Sequence, residues 1–526
     1  MQLQSVLEQR ADTIPTSPAL VCGERRLTYA DVERSSNVLG HLLRDAGMLR
    51  GNRVAIYLEN STEAVFGLFG TLKADGVFMM VNPTTKADKL RFLLNNARAT
   101  VVITDSRRLP IVEQAAAGVA SLKAVFVAGT PTDATDVCGR RIVWLDAALA
   151  DDSRSHRPDS QGIDIDLAAL LYTSGSTGRP KGVMMTHHNM VSALTSISQY
   201  LGSRDGDVIL NVLPLSFDYG LYQVLLAFEA GGTLVLERSF TYPHAALSTL
   251  TRERVTAFPI VPTIAALLLQ LDLSQYDFSS LRYITNTGAA LPVPHIAALR
   301  RLMPQVRIFS MYGITECKRV SYLDPDEIDQ RPDSVGRGMP NQEIYLVDAN
   351  GARIASGVGE LVVRGSHVMQ GYWELPEETA RVLAPGDLPG ERVLRTGDVF
   401  RMDADGYLYF VARTDDIIKT RGEKVSPREV ENVLYRLPGV AEAAVLGVPD
   451  ATLGALVKAV IVPSENATVN EQDVYRHCSQ HLEDFMVPGL VEFRPAMART
   501  PSGKVDKKAM VEPSATANAR YASVDA

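Results

Sequence analysis

The length, composition and charge of the chain indicate a soluble protein of more than one domain. Its 526 residues exceed an ordinary single domain, and a composition of 46% hydrophobic and 22% charged residues excludes a disordered or fibrous protein. The formal net charge of −8 argues against broad binding to nucleic acids or anionic membranes.

The first residues and the cysteines predict a cytoplasmic protein. Glu8, Arg10 and Asp12 place charges where a signal peptide needs an apolar stretch. No uncharged apolar run reaches the roughly 18 residues that a membrane-spanning helix requires. The four cysteines lie far apart and form no CxxC pair, so we expect neither a disulfide framework nor a zinc site. We predict no nucleic-acid partner and no membrane span.

Short apolar runs alternate with amphipathic segments through most of the chain. "RVAIYLEN" at 53–60 predicts a buried strand, and the segment from Ser61 to Gly76 predicts a helix with Ser61 as its N-cap. "ATVVITDS" and "AALLYTSG" predict further strands, and "VTAFPIVPTIAALLLQLD" predicts a strand, a turn marked by proline and a helix. This alternation predicts an α/β protein with largely parallel sheets.

The pattern changes near residue 342. "EIYLVDANG", "GELVVRG" and "RVLRTGDVFRMDADGYLYFVAR" are short strand patterns joined by Asn-Gly and Asp-Gly, the residue pairs that favour β-hairpins. After Arg413 a charged junction leads to an amphipathic helix, and the last hundred residues predict a small α+β unit. We expect residues 513–526 to form a disordered tail.

The segment "LLYTSGSTGRPKG" at 170–182 is a candidate phosphate-binding loop. It differs from a Walker A loop because Pro180 precedes Lys181 and Gly182 follows it. Proline lacks the backbone N–H that a rigid phosphate nest would use, so a P-loop kinase or ATPase is excluded. A flexible loop with four hydroxyl groups and one lysine remains, and it suits a triphosphate. The alternative is a mobile Ser/Gly linker.

Five motifs, in order along the chain, resemble the signatures of the adenylate-forming superfamily, which includes acyl-CoA synthetases and the adenylation domains of nonribosomal peptide synthetases. They are "YTSGSTGRPKGV", "MYGITE" (311–316), "RTGDVF" (395–400), "RTDDIIKTRGEKVSPREVE" (413–431) and "PSGKVDKKAM" (501–510). The resemblance covers nearly the whole chain.

The resemblance implies a division into two domains. A large N-terminal domain, residues 1–412, would contain parallel-sheet α/β subdomains and a distorted β-barrel. A hinge at 413–416 would connect it to a small mobile C-terminal α+β domain, residues 417–512. We expect the small domain to swing between an adenylating and a thioester-forming position, with Asp415 in the hinge. Gly422 would line the path of the thiol, where the absence of a side chain makes room.

The reaction implied by the resemblance joins a carboxylate to ATP and gives an acyl-adenylate and pyrophosphate. A carboxyl group titrates near about 4, so the nucleophile is ionised at neutral pH and needs no general base. The obstacle is the approach of an anion to a triphosphate, and the protein must supply positive charge and alignment. ATP and Mg²⁺ are the expected cofactors, and CoA or a phosphopantetheinylated carrier protein is the expected acceptor.

The resemblance also implies roles for individual residues. Lys504 would bridge the carboxylate and the α-phosphate, Thr315 would bind the α-phosphate, and Glu316 would help to hold Mg²⁺. Asp398 would accept hydrogen bonds from the ribose hydroxyls. The other ATP-binding residues implied are Thr173, Ser174, Gly175, Ser176, Thr177, Gly178, Lys181, Gly288, Ala289, Ala290, Tyr312, Gly313 and Arg413.

The acyl pocket is expected around "LPLSFDYGLYQ" at 213–223. Asp218 matches the residue that binds the substrate ammonium in amino-acid-activating relatives, and a buried carboxylate needs such a partner. The alternative is that Asp218 pairs with Arg319, which could otherwise contact a second substrate carboxylate. Tyr222 and Thr287 would form the pocket floor and limit it to small substrates.

Two features favour different substrates. Asp218 favours an amino acid, whereas "RGEKVSPREVE" is more typical of acyl-CoA ligases, and no carrier domain follows residue 510. We predict a stand-alone ligase that loads a small amino acid onto a separate carrier protein. The alternative is an acyl-CoA ligase acting on a non-amino small, aryl or fatty acid.

Overall fold

The computed structural model describes residues 1–132, 134–174, 180–413, 416–420, 423–450, 454–465, 467–500 and 503–511. Its α-helices are α1 (Ser5–Thr13), α2 (Tyr29–Asp45), α3 (Thr62–Lys73), α4 (Ala87–Asn96), α5 (Leu109–Ala116), α6 (Leu145–Ala148), α7 (His187–Leu201), α8 (Asp218–Ala230), α9 (Pro243–Arg252), α10 (Pro262–Leu268), α11 (Val293–Leu302), α12 (Pro376–Val382), α13 (Pro427–Leu434) and α14 (Glu471–His481).

The strands form five sheets. They are β1 (Pro18–Cys22), β2 (Arg25–Thr28), β3 (Arg53–Ile56), β4 (Val77–Met80), β5 (Ala99–Asp105), β6 (Ala124–Ala128), β7 (Asp136–Val137), β8 (Arg140–Trp144), β9 (Leu167–Ser174), β10 (Pro180–Thr186), β11 (Val208–Asn211), β12 (Thr233–Leu236), β13 (Ala257–Ile260), β14 (Tyr283–Asn286), β15 (Arg307–Tyr312), β16 (Ser321–Tyr322), β17 (Arg337–Gly338), β18 (Gln342–Val347), β19 (Arg353–Ile354), β20 (Gly357–Gly365), β21 (Gly371–Tyr372), β22 (Leu383–Pro385), β23 (Arg392–Met402), β24 (Leu408–Arg413), β25 (Ile418–Thr420), β26 (Glu423–Val425), β27 (Val440–Asp450), β28 (Gly454–Pro463) and β29 (Leu490–Phe493).

The first sheet places the chain segments that follow its strands at a common edge. Its order is β17-β16-β15-β14-β13-β11-β12-β1-β2, parallel from β15 to β1 and antiparallel at both ends. Ile260 lies opposite Asn286, and Asn286 lies opposite Ser310. The carboxyl ends of β13, β14 and β15 are therefore aligned, and the loops after them form one crevice, where ligands bind in open α/β sheets.

The second sheet confirms the predicted strand–helix alternation. Its order is β21-β10-β9-β4-β3-β5-β6-β8-β7, parallel from β9 to β8. The helix predicted after Ser61 is α3, and the backbone N–H of Ala64 donates to Ser61 Oγ over 3.2 Å. The strand, turn and helix predicted near Pro262 are β13 and α10. The α/β fold with largely parallel sheets is thus correct.

The third sheet contains the predicted hairpins. It is antiparallel, with the order β19-β18-β20-β23-β22 and with β24 paired to β23. Among the described residues no pairing joins its outer strands β19 and β22, so the strand pairing of the expected distorted barrel is not closed. Its contribution to the site is the β23–β24 pair, which places Asp398 directly opposite Arg413.

The C-terminal part has its own apolar core. Strands β27, β28 and β29 form one sheet and β25 pairs with β26, while α13 and α14 pack against this core. Val430, Val445 and Ile461 are among its fully buried side chains. This agrees with the small α+β unit, although the exact domain limits stay a prediction. Over the described residues, no helix is long and apolar enough to cross a membrane.

Candidate active site

The crevice at the edge of the first sheet is formed by sequence elements that are far apart. Strand β11 leads to Phe217 and to α8, β14 leads to Gly288, and β15 leads to the turn at 313–316. The turn after β15 requires glycine, because a Cβ on Gly313 would lie 1.9 Å from the carbonyl oxygen of Lys318. The chain reverses so tightly there that Val320 N donates to Tyr312 O over 2.9 Å.

Asp398, Tyr312 and Arg413 form a polar cluster on one side of the crevice. The Tyr312 hydroxyl donates to Asp398 Oδ2 over 2.5 Å. Asp398 Oδ1 lies 3.2 Å from Arg413 Nε without the geometry of a hydrogen bond. Burial raises the pKa of the Asp398 carboxyl, and Arg413 and Tyr312 oppose that rise. The cluster therefore presents a buried carboxylate with one oxygen still able to accept a hydrogen bond.

A second polar cluster connects the first sheet to the second. Tyr372, on β21, donates from its hydroxyl to Glu316 Oε1 over 2.8 Å. Lys181 Nζ lies 5.2 Å from the centre of the Tyr372 ring and donates to Glu378 Oε2 over 2.7 Å. The predicted metal ligand and the predicted phosphate-binding lysine are thus neighbours, linked through Tyr372.

A lysine of the C-terminal part reaches the same crevice. Lys504 Nζ lies 6.0 Å from the centre of the Phe217 ring. A Cβ on Gly288, whose φ is +87°, would lie 3.4 Å from Phe217 Cζ and 3.8 Å from Lys504 Cε. Thr263 Oγ1 contacts Gly503 O at 3.4 Å. The small C-terminal unit thus contacts the large one through the turn that carries Lys504.

The side of the crevice where the acyl pocket is expected contains charged groups with few partners. Asp218 is partly exposed, and within the described part of the chain it has no hydrogen bond or ion pair, so the alternative pairing of Asp218 with Arg319 is not formed. Arg319 instead stacks on Tyr219, with its Cζ 4.5 Å from the ring centre. Lys318 donates to Thr315 O over 2.7 Å. Burial lowers the pKa of the Lys318 ammonium to about 8, with the negative charges of Asp218 and Glu316 opposing.

The residues expected at the pocket floor are buried. Tyr222 is 1% exposed, and its hydroxyl donates to Met190 O over 3.2 Å. Thr287 is 2% exposed, and its Oγ1 has no partner among the described residues. Asn286 Nδ2 donates to Ala289 O over 3.0 Å, which shapes the turn before Ala290.

Several predicted residues lie outside the part that the structure describes. Thr173 is described on β9, opposite Lys181, but the side chain of Ser174 is not. The residues outside the description are Gly175, Ser176, Thr177, Gly178, Asp415, Gly422 and the tail 513–526. The expected phosphate loop, hinge and thiol path therefore stay predictions.

Three further side chains contact the predicted site residues. Tyr372 and Glu378 lie outside every sequence motif, and Tyr219 lies within the segment 213–223, but the motifs do not single it out. Tyr372 contacts Glu316, which is 56 residues away in the sequence. Glu378 contacts Lys181, which is 197 residues away. Tyr219 stacks against Arg319 and lies edge-on to Phe217, with the ring centres 6.1 Å apart. The short segment "GYW" before α12 is the only local signal, and it does not reveal these partners.

Two family patterns match the chain. The family described as AMP-binding enzyme matches residues 7–373, and the AMP-binding enzyme C-terminal domain matches residues 429–504. The first match alone covers more than half of the chain.

Two named proteins and one solved structure are similar to this chain over nearly its whole length. Feruloyl-CoA synthase of Amycolatopsis sp is 34% identical over 95% of this chain and 96% of that protein. Tyrocidine synthase 3 of Brevibacillus parabrevis is 30% identical over 97% of this chain, which spans only 8% of that protein. The solved structure of the anthranilate CoA ligase AuaEII in complex with anthranoyl-AMP superposes with a TM-score of 0.87, at 27% identity over 97% of this chain and 96% of that one. The chain therefore belongs to the AMP-binding enzyme family, the adenylate-forming ligases.

Proposed function

We propose that this protein adenylates a small carboxylic acid with ATP and transfers the acyl group to a thiol. The observation that carries the proposal is the position of Lys504, beside Phe217 and Gly288 in the crevice that also holds the Asp398 and Glu316 clusters. A cation there can face both a carboxylate and a phosphate.

In the first step, a carboxylate oxygen of the acid attacks the α-phosphorus of ATP. The bond between the α-phosphorus and the bridging oxygen breaks, and pyrophosphate leaves with its electron pair. Lys504 Nζ would hold the two anions together and offset the charge that develops between them. No proton needs to be removed, because the acid is already ionised.

The Asp398 cluster would hold the ribose. Asp398 Oδ1 lacks a hydrogen-bond donor among the described residues and is buried, so it suits a ribose hydroxyl. Tyr312 fixes the carboxylate through its hydroxyl, and Arg413 opposes the rise in its pKa that burial causes. Gly288, Ala289 and Ala290 would leave room for the adenine.

Glu316 would be the protein ligand of Mg²⁺. Magnesium in nucleotide-dependent enzymes takes one or two carboxylates and completes its shell with phosphate oxygens and water, and Glu316 fits this requirement. Bound there, Mg²⁺ would neutralise phosphate charge. Tyr372 orients the carboxylate by its hydrogen bond to Oε1, and Thr315 lies beside it to contact the α-phosphate.

In the second step, a thiol attacks the carbonyl carbon of the adenylate. A carbon–sulfur bond forms, the carbon–oxygen bond to the phosphate breaks, AMP leaves, and the thiol proton passes to solvent. We propose that the C-terminal unit moves about residues 413–416 between the two steps, with Asp415 in the hinge and Gly422 on the thiol path. Such a movement would have to break the contact between Thr263 and Gly503.

The pocket supports an amino acid as the substrate. Asp218 is only partly buried, which differs from the buried carboxylate expected from the sequence, but it has no ion-pair partner in the described chain, and a substrate ammonium would supply one. The acceptor would then be a phosphopantetheinylated carrier protein. The relatives named as CoA ligases favour the second candidate, transfer of a non-amino acyl group to CoA.

Exchange of labelled pyrophosphate into ATP tests the first step. The full-length protein is supplied with Mg²⁺, ATP and one acid at a time: amino acids, their des-amino analogues, aryl acids and medium-chain fatty acids. We expect that label enters ATP only when a suitable acid is present. When a thiol is added, we expect the protein to release AMP and not ADP. Release of ADP, or exchange independent of any acid, would contradict the proposal.

The acceptor is tested by mass spectrometry of the thioester. CoA and a phosphopantetheinylated carrier protein are offered separately with the best acid. A thioester on the carrier alone supports the first candidate, and a thioester on CoA alone supports the second.

A further inference from the structure

Arg319 is a buried cation without a counter-charge in the part of the chain that the structure describes. Its side chain is 4% exposed, and none of the ion pairs in the described ranges includes it. Its Nε has no hydrogen-bond partner there, and the contact from Nη1 to Lys318 O is long, at 3.5 Å. Arginine carries five donors, and burying them unpaired is costly unless an anion completes the site.

The position of Arg319 connects it to the reaction centre. Its guanidinium stacks on Tyr219, and Tyr219 lies edge-on to Phe217, with ring centres 6.1 Å apart. Lys504 Nζ lies 6.0 Å from the centre of Phe217. Two aromatic rings thus form a wall with Lys504 at one end and Arg319 at the other, and an acid lying along this wall meets a cation at each end.

A second group without a partner among the described residues lies just beyond the strand that contacts Tyr219. The Tyr219 hydroxyl contacts Thr285 Oγ1 at 2.6 Å and donates to Thr285 O over 2.8 Å. Thr287 follows Asn286, the last residue of β14, and is two residues from Thr285 in the chain. Thr287 Oγ1 is buried and has no partner in the described chain, so its hydroxyl can donate to a ligand.

We propose that the acyl pocket selects small acids that carry a second carboxylate, and that Arg319 binds this distal carboxylate with help from Thr287. The guanidinium fork matches the geometry of a carboxylate, and a substrate anion would satisfy the buried charge. The substrate class is a short dicarboxylic acid, with or without an amino group near Asp218. This inference rests on the proposed adenylation and narrows its substrate.

Matched pairs of acids test this specificity. Pyrophosphate exchange is compared for malonate, succinate, glutarate, adipate and glutamate against propionate, butyrate, valerate, hexanoate and norvaline. We expect the best diacid to exceed its monoacid partner by about 100-fold in kcat/KM, mainly through KM, because a charged hydrogen-bonded contact is gained. Arg319→Met should bring this ratio close to one, and the exposed Arg301→Met is the matched control that leaves it high.

Direct binding separates this inference from the function on which it rests. Calorimetric titration of the full-length protein with the same acids needs no turnover. Arg319→Lys keeps the charge but not the fork, so it should retain part of the diacid preference, and thermal unfolding checks that each variant is folded.

Each outcome decides one question. Exchange with monoacids preferred, or a diacid preference unchanged in folded Arg319→Met or Arg319→Lys, overturns the inference and leaves adenylation intact. If no acid supports exchange, the proposed function fails, and calorimetry then tests the role of Arg319 by itself. Diacid binding that is lost in Arg319→Met supports the inference. Absence of diacid binding to the wild-type protein overturns it.

Discussion

The two sides of the crevice differ in how their polar groups are satisfied. We assign the side with Asp398, Glu316 and Lys181 to the nucleotide and call it the nucleotide side, and we assign the side with Asp218 and Arg319 to the acyl group and call it the acyl side. On the nucleotide side, Tyr312 donates to Asp398 Oδ2, Tyr372 donates to Glu316 and Lys181 donates to Glu378. Asp398 Oδ1 lacks a hydrogen-bond partner among the described residues, and we assign it to the ligand. On the acyl side, Arg319 Nε and Thr287 Oγ1 lack partners among the described residues. Side chains that are held in place by their own contacts suit a ligand that is always the same, such as ATP. Buried polar groups without a partner in the protein indicate that the ligand supplies their hydrogen bonds.

The comparison predicts that Lys504, which lies between the two sides, dominates catalysis. Lys504→Ala should lower kcat for adenylation by about 10³-fold, because the loss of one preorganised electrostatic contact has this size in comparable sites. The substitution removes an exposed side chain, so the thermal unfolding temperature should not change. Single-turnover formation of the adenylate measures the effect.

Lys89→Ala is the control for this substitution, since Lys89 is exposed on α4. A Lys504→Ala protein with wild-type rates would remove Lys504 from the chemistry and with it the observation on which the proposed function depends.

Because Asp398 is held by partners on the nucleotide side, we expect its substitution to have a large effect on the binding of ATP. Asp398→Asn should raise KM for ATP by about 10- to 100-fold, because hydrogen bonds to a charged group are lost and Arg413 is left without its partner. The KM for the acid should change less. Steady-state kinetics at saturating acid measures the shift, and Asp405→Asn, on the exposed turn after β23, is the control. Equal rises in both KM values would place Asp398 outside the nucleotide site.

The two sides also differ in how far the sequence could predict them. The turn after β15 and the strand with Asp398 carry local motifs, and the structure brings both to one crevice. The pairing of Asp398 with Arg413 needs the β23–β24 register, and the contacts of Tyr372 and Glu378 need two sheets to meet. These depend on tertiary packing, which a local pattern does not encode.

On the acyl side, the sequence left the partner of Asp218 open. Whether it pairs with Arg319 depends on the relative placement of α8 and the turn after β15. The structure places the Arg319 guanidinium over the Tyr219 ring instead, and a cation–π contact of this kind has no signature in the spacing of charged residues. The hairpins after residue 342 were likewise predictable, whereas the open edge of their sheet was not.

Substitution of Asp218 tests whether the acyl pocket binds a substrate ammonium. Asp218→Ala should lower kcat/KM for an amino acid about 10-fold relative to its des-amino analogue, because one charged contact to the substrate is lost. The ratio of the two specificity constants, measured by pyrophosphate exchange, isolates this contact from general damage. Asp205→Ala, an exposed residue before β11, is the control. If the ratio does not change in Asp218→Ala, Asp218 does not contact the substrate, and the result favours a substrate without an amino group.

The smallest effect is expected where a pair on the nucleotide side competes with the ligand. Lys181 donates to Glu378 in the structure without nucleotide, and it would have to leave Glu378 to contact a phosphate. Partly exposed ion pairs contribute little, so Glu378→Gln should lower KM for ATP by only about two- to fivefold. Glu377→Gln on the exposed face of α12 should leave KM unchanged. A raised KM in Glu378→Gln would mean instead that Glu378 positions Lys181 for the phosphates, and the nucleotide side would then be preorganised in all three of its pairs.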